Sequence, residues 1–303
     1  MIQKSKIDLE ATMEFLHSYL IIKSYYFGIK TGLFQENSKN RYPNKEYCHK
    51  WIDFFKRADY DHLLKEAFKK MRIEVDRSSL DLFDCMDRSS YFALLHSNHP
   101  NITLGFIKDA DLWDLWLKGG IFELARRSVA EKDIIERGCK VLDIGCGSVS
   151  PLFYSELVGK SGSYAGVELS APLSKLATLR LKENFLDQGS VRQEDAEKRL
   201  IFKKKYDVVV ISFFLENSSN HKAVLKNALE ALGYEGRILI NSFLFADVEP
   251  EKRDLFDLYF SLIPSFRGFP KISEIVEVLE LSGVGFRYNL LNKNMLMIDV
   301  NGR

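Results

Sequence analysis

The hydrophobic pattern changes character near residue 140. Before it, apolar residues recur at three- and four-residue steps, as helices require. Leu9, Met13, Leu16 and Leu20 begin such a stripe over Ile7–Gly32, thickened by Tyr25, Tyr26, Phe27 and Ile29, and Trp51, Phe54, Phe55, Leu63, Leu64, Phe68 and Met71 predict two further helices. After it, short apolar runs alternate with helical stripes, the order a doubly wound sheet needs. The runs are Val141–Ile144, Ser163–Leu169, Val191–Gln193, Tyr206–Ser212 and Gly236–Asn241, with Phe286–Leu291 and Met295–Val300 as a terminal antiparallel pair. Tyr206–Ser212 is β-branched enough to be a central strand buried on both faces. Helices are predicted from Pro151 to Val158, Ala171 to Phe185, His221 to Leu232 and Ser273 to Ser282, the last with Ser273 as N-cap. The predicted fold class is α/β: a Rossmann-like seven-stranded domain over 111–303, preceded by a mainly α-helical domain over 1–110.

Within the first domain, Ile73–Val75 and Ser79–Phe83 are predicted as two short strands, which after the helices would make a winged-helix-like module. Lys65, Lys69, Lys70 and Arg72 could touch phosphate there, but Asp59, Asp61, Glu66 and Glu74 are interleaved with them, which predicts a solvated mixed-charge face. One helix normally buries one stripe. The surplus aromatic surface of the first helix therefore predicts a homodimer through the N-terminal helices, with packing inside one chain as the equal alternative. Trp113, Trp116, Phe122 and Leu124 around Gly119-Gly120 predict a helix, a break and a second helix, and read equally as core or as the lining of a substrate cavity. His96 and His99 have the spacing of two ligands on one helix face, yet Asn98 and Pro100 predict a helix end and no third ligand is near, so no metal site is expected.

Composition narrows the partners. A formal net charge of +1 gives no global field to attract nucleic acid. No apolar run approaches the ~20 residues of a membrane span, and Met1–Lys6 lacks the apolar core of a signal peptide. The four cysteines, Cys48, Cys85, Cys139 and Cys146, are scattered without a Cys-x-x-Cys pair, as free thiols in a reducing cytoplasm would be. The expected protein is cytoplasmic and acts on a small molecule, without nucleic-acid or membrane partners.

The chemistry concentrates where Val141–Ile144 ends in Gly145-Cys146-Gly147-Ser148. A strand that delivers two glycines one residue apart presents backbone N–H groups to a ligand at close range. Glu168, 23 positions after Gly145, ends the second strand, near the ~20-residue offset at which a carboxylate meets ribose hydroxyls. The third glycine of a dinucleotide fingerprint is replaced by Ser150, before Pro151, so a ligand without a pyrophosphate fits better than NAD.

Taken together, Val-Leu-Asp-Ile-Gly-Cys-Gly, Gly-Val-Glu-Leu at 166–169, Asp195-Ala196 and the Tyr206–Ser212 strand resemble the core of class I S-adenosylmethionine-dependent methyltransferases over roughly 139–300. The resemblance implies S-adenosylmethionine as cofactor, with Asp143, Gly145 and Gly147 in the methionine-side motif. It also implies Glu168 on the ribose, Leu169 beside the adenine, Asp195 on the adenine amino group with Ala196 adjacent, and Ser212 and Phe213 near the methyl donor. The whole chain is similar to the dimeric small-molecule O-methyltransferases, through its helical N-terminal part, Gly32-Leu33-Phe34, Lys222–Leu229, Glu235–Ile240 and the helix from Ser273 to Gly283. That branch implies O-methylation of a small molecule, and the aromatic set Trp113, Trp116, Phe213, Phe214, Phe266 and Phe269 near the predicted pocket mouth favours an aromatic or polyketide-like one, with Trp113, Trp116, Phe214 and Phe266 read as substrate contacts. Leu255, Tyr259, Phe260 and Leu262, inside the long stretch from Phe243 to Pro270, predict a helix covering the cofactor.

One departure keeps alternatives open. Many members carry a His-Asp pair after the fourth strand, where this chain has Leu215-Glu216-Asn217. Glu216 and His221 are the remaining candidates for a catalytic base, His221 reading also as an exposed helix-start residue. C- or N-methylation, a non-methylating reaction of the bound cofactor, and a non-enzymatic partner subunit or winged-helix regulator are the competing readings. The Asn/Asp-Pro-Pro-aromatic motif of base N-methyltransferases is absent, Ser212-Phe213-Phe214-Leu215 standing in its place.

Overall fold

A computed structural model describes residues 8–35, 41–71, 75, 77–96, 105 and 108–301. In chain order the helices are α1 (Leu9–Thr31), α2 (Lys45–Arg57), α3 (Tyr60–Lys70), α4 (Ser78–Leu95), α5 (Ala110–Leu117), α6 (Gly120–Glu131), α7 (Ser150–Val158), α8 (Ala171–Glu183), α9 (His221–Ala231), α10 (Pro250–Phe260) and α11 (Ile272–Leu281). The strands are β1 (Lys140–Ile144), β2 (Ser163–Glu168), β3 (Gly189–Gln193), β4 (Tyr206–Ser212), β5 (Leu232–Asn241), β6 (Gly285–Asn292) and β7 (Met295–Asn301). They divide into two compact units, Met1–Gly105 with Gly119–Ile121 and Pro250–Phe266, and Phe106–Lys118 with Phe122–Glu249 and Arg267–Arg303.

The first unit is helical. Asp8 caps α1 by accepting from the Ala11 N–H at 2.8 Å, and Gly32 ends it at φ 71°, a left-handed conformation that glycine adopts without a side-chain penalty. Phe27 of α1 lies 4.5 Å from Trp51 of α2 and 4.8 Å from Tyr91 of α4. Trp51 stands edge-on to Tyr259, and Phe83 edge-on to Phe256 and Phe260. The predicted helix forms as α10, and its buried face completes this helical core.

The second predicted wing strand does not form. Ser79–Phe83 lies inside α4, where Leu82, Phe83, Met86, Ala93 and Leu94 continue one buried face at helical spacing. Five alternating residues are too few to separate a strand from the start of such a stripe. Ile73 and Glu74 of the first wing strand, Arg72 and His99 lie outside the described residues. Lys69 pairs with Glu66 at 2.6 Å and Lys70 with Glu14 at 2.5 Å, so these cations sit in a mixed-charge face.

The second unit holds a seven-stranded sheet in the order β3-β2-β1-β4-β5-β7-β6. The first five strands are parallel, and β7 pairs antiparallel with β5 and β6. Side chains alternate across the sheet. Leu142, Ile144, Val209, Ile211, Ile238 and Ile240 pack in one layer with residues of α9 and α11, and Val141, Val208, Val210 and Leu239 in the other with Tyr154 and Val158 of α7. β5 begins at Leu232, earlier than its apolar run predicts, because an irregular register carries Tyr206↔Leu232 to Val208↔Arg237. The N-cap of α11 is Lys271 rather than Ser273, and the cap is supplied from a distance: Asp247 accepts from the Ile272 and Ser273 N–H groups at 2.9 and 2.8 Å. β1 pairs with β2 on one side and β4 on the other, so chain order reverses there and the carboxyl ends of β1 and β4 flank the crevice where such sheets bind ligands. Among the described residues no helix is long and apolar enough to cross a membrane.

Candidate active site

At the end of β1, Gly145 and Gly147 adopt φ 73° and 61°. A Cβ on Gly145 would stand 2.4 Å from the Phe214 ring, and one on Gly147 2.9 Å from Leu117 Cδ1. Backbone conformation and space both demand glycine here. The Gly145 and Cys146 N–H groups donate to the Val167 carbonyl at 2.8 and 3.1 Å, which ties the turn to β2.

Glu168, buried at the end of β2, accepts from the Gly147 N–H through Oε2 and from the Ser170 N–H through Oε1, both at 2.8 Å. Burial raises its pKa against these amide bonds. Each carboxylate oxygen has further acceptor capacity. Leu169 beside it is 43% exposed, an apolar surface next to the acid. Asp195 accepts from the Glu197 N–H at 3.0 Å and pairs with Lys198 at 3.4 Å, and Ala196 is buried. Asn227 of α9 fixes this loop: its Nδ2 donates to the Ala196 and Lys198 carbonyls and its Oδ1 accepts from the Leu200 N–H.

Asp143 stands one residue before the end of β1 and is 1% exposed. It accepts from the Tyr164 hydroxyl at 2.9 Å. Burial pushes its carboxyl up to about 7, helped by the Glu168 charge and opposed by the Tyr164 bond and Arg126. It thus serves the site as a buried support under the turn.

A clamp that local patterns do not announce holds α5 against the turn. Asp114 takes Arg180 Nη1 and Nη2 of α8 at 2.6 and 2.8 Å, and the Ser148 hydroxyl at 2.6 Å. Arg180 also donates to the Ser148 carbonyl at 2.9 Å, and Lys118 reaches Asp114 at 2.8 Å. Burial pulls the Asp114 carboxyl up, but the Arg180, Lys118 and Ser148 bonds outweigh it and hold it well below the usual carboxylate range. Sequence reasoning missed Asp114 and Arg180 because their numbers lie 66 apart and neither sits in a motif.

At the ends of β4 and β5 the site turns aromatic. Phe213 occupies φ 52°, uncommon for a residue with a side chain, and its N–H donates to the Asn241 carbonyl at 2.8 Å. Its ring lies 4.6 Å from Phe243 and 5.1 Å from Phe122, and Trp113 links Phe122 (6.4 Å) to Trp116 (5.2 Å). Trp113, Trp116 and Phe213 are thus joined in one cluster, with Phe214 packed on Gly145. Phe266 belongs to the first unit, where it lies 5.6 Å from Phe260. Ser212 accepts from Asn241 Nδ2 at 2.8 Å, while Asn241 Oδ1 and the Trp113 indole N–H are buried without partners among the described residues.

Neither basic candidate is simply presented to a substrate. Glu216 is 1% exposed, and its Oε1 accepts from the Ser242 hydroxyl at 2.6 Å and the Phe243 N–H at 2.9 Å, while Oε2 has no partner among the described residues. Burial pushes its carboxyl up to about 6, partly offset by these bonds. The His221 Nε2 lies 2.8 Å from the Leu215 carbonyl, a contact that ties the start of α9 to the turn after β4.

The residues present fit S-adenosylmethionine. A bare glycine turn, a buried carboxylate with spare acceptor capacity, an exposed Leu169 beside it and the orphaned Asn241 Oδ1 supply what its methionyl and nucleoside parts require. Residues 135–261 match the model of a methyltransferase domain family. A protein of Methanocaldococcus jannaschii is 28% identical over 98% of this chain and 87% of its own, so the likeness includes the N-terminal helices. The ubiquinone/menaquinone biosynthesis C-methyltransferase UbiE of Azotobacter vinelandii is 34% identical over 44% of this chain, which spans about half (53%) of that relative's length. The YcgJ protein of Bacillus subtilis shares the fold, with a TM-score of 0.50 at 13% identity, over 60% of this chain and 99% of that one. Residues 135–261 thus carry an S-adenosylmethionine-dependent methyltransferase domain, on a Rossmann-like seven-stranded sheet.

Proposed function

We propose that the enzyme methylates a small aromatic acceptor at a ring carbon made nucleophilic by its own ionised hydroxyl. The observation that carries this is the state of the turn after β4. Leu215 replaces the expected histidine, Glu216 Oε1 is taken by Ser242 and Phe243, and the His221 Nε2 is engaged by the Leu215 carbonyl. S-adenosylmethionine supplies a methyl group already activated by positive sulfur, so positioning and exclusion of water can carry much of the rate. Trp113, Phe122, Phe213 and Phe243 would hold a flat acceptor beside the turn, Glu168 and Leu169 would hold the nucleoside, with Asp195 and Ala196 at its adenine, and Ser212 with Phe213 would border the methyl group. The named activity of the UbiE relative agrees with carbon as the acceptor atom.

O-methylation with Glu216 as base is the second reading, favoured by its partnerless Oε2 and a carboxyl that titrates at about 6. A panel of phenols and hydroquinones, supplied with carbon-13-methyl cofactor, separates the two by the chemical shift of the transferred methyl. Ring-methyl products support the first reading, and methoxy products alone overturn it. A homodimer through the N-terminal helices remains part of the proposal, supported by Tyr26 and Ile29 of α1, both more than half exposed. Sedimentation equilibrium at the mass of one chain would remove it.

A further inference from the structure

Trp113 carries a hydrogen-bond donor that the protein leaves unused. It lies on α5 and its side chain is partly exposed, yet the indole N–H is buried without a partner among the described residues. An indole nitrogen donates and cannot accept, so only an acceptor atom can answer it. A buried donor left unpaired costs its full desolvation, and buried tryptophans usually find a partner.

Its surroundings say where that partner comes from. Leu117, four residues on along the same face of α5, lies over Gly147 of the glycine turn. The Trp113 ring meets Phe122, which touches Phe213 at the end of β4 and Phe243 after β5. The unused donor therefore stands between the turn and the rings proposed to hold the acceptor, and phenylalanine rings offer it no oxygen. The adjacent Asp114 carboxylate is committed to Arg180, Lys118 and the Ser148 hydroxyl. One carboxylate against two cations leaves positive charge in excess at this helix, and the bonds to Arg180 and Ser148 fix α5, so the N–H is held in place. A fixed donor in positive surroundings suits an anionic oxygen.

We propose that the Trp113 indole N–H donates to the ionised oxygen of the acceptor, the oxygen whose charge makes the ring carbon nucleophilic. This rests on the aromatic-acceptor reading of the site. Calorimetry on the whole chain saturated with S-adenosylhomocysteine tests it with two probes. One is para-nitrophenol, at a pH where it is ionised. The other is para-nitrotoluene, which has a methyl group in place of the oxygen. The account predicts that Trp113→Phe, which keeps an aromatic ring and removes the donor, weakens para-nitrophenolate binding roughly 10- to 100-fold, the range of a hydrogen bond to a charged group. Binding of para-nitrotoluene stays within about twofold of wild type, because that probe makes no bond to lose, and this also reports an intact ring cluster. In the unmutated chain, the indole proton resonance of Trp113 moves downfield with para-nitrophenolate and stays in place with para-nitrotoluene. An unmoved resonance, or unchanged para-nitrophenolate affinity in Trp113→Phe, overturns the proposal. Equal loss of both probes overturns it in favour of a purely packing role. A wild-type chain that holds S-adenosylhomocysteine and binds neither probe overturns the aromatic-acceptor reading, and the proposal falls with it.

Discussion

The two sides of the crevice are built by opposite means. On the donor side, at β1 and β2, the proposed seat is main chain and one carboxylate: Gly145, Gly147, the amides around them and Glu168. On the proposed acceptor side, at β4 and β5, the surface is built of rings brought from α5, α6 and two strand ends, with Phe213 held in a left-handed conformation among them. Backbone recognition suits a ligand that never varies. Side-chain recognition can be recut for each acceptor, so on the proposed reading the donor side identifies the reaction class and the acceptor side decides the substrate.

Breaking the donor side should have the largest effect. Gly145→Val places a β-branched residue at φ 73° with its Cβ against the Phe214 ring, and we expect no measurable S-adenosylhomocysteine binding by calorimetry. Next comes the clamp. Asp114→Ala leaves the mostly buried Arg180 without its bidentate partner and should cost about 3 kcal/mol in denaturant unfolding. The double variant with Arg180→Ala should cost less than the sum of the two, because each removes the same interaction. A smaller change isolates the acceptor side: Phe243→Leu should raise the KM of the acceptor while leaving cofactor affinity in place, and an equal loss of both would dissolve the contrast between the two sides.

The smallest effect concerns pH. The folded Glu216 carboxyl titrates at about 6, above its ordinary value of 4.5. Between those values the folded state holds a proton that the unfolded state has released, so this group's stabilisation is complete below about pH 4.5 and is lost as pH rises through about 6. Glu216→Gln should flatten that part of the stability profile in thermal melts. If the variant also keeps its turnover across the same range, Glu216 is not the base.

How much of this the sequence discloses follows from the same contrast. The turn, Glu168 and the seven strands are legible because each is local: a β-branched run, a glycine pair, an acid at a strand end. The Asp114–Arg180–Ser148 clamp, the Asn227 bracket and the Asp247 cap are not, since each joins residues whose proximity only the folded chain creates. α10 is legible as a helix, but its packing partners are not. Tyr259 and Phe260 announce burial but not against what, and the helical core around Trp51 and Phe83 claims them. Ser79–Phe83 misleads because its alternation is shorter than the helical stripe that absorbs it.

The central claim is that the Gly145–Ser148 turn and Glu168 seat S-adenosylmethionine. Equilibrium dialysis of the labelled cofactor against wild type, Gly145→Val and Glu168→Ala tests it most directly. The account predicts one cofactor retained per wild-type chain, none by Gly145→Val and sharply less by Glu168→Ala, with all three folded by circular dichroism. A folded wild-type chain that retains none, or variants that retain as much as wild type, would contradict it.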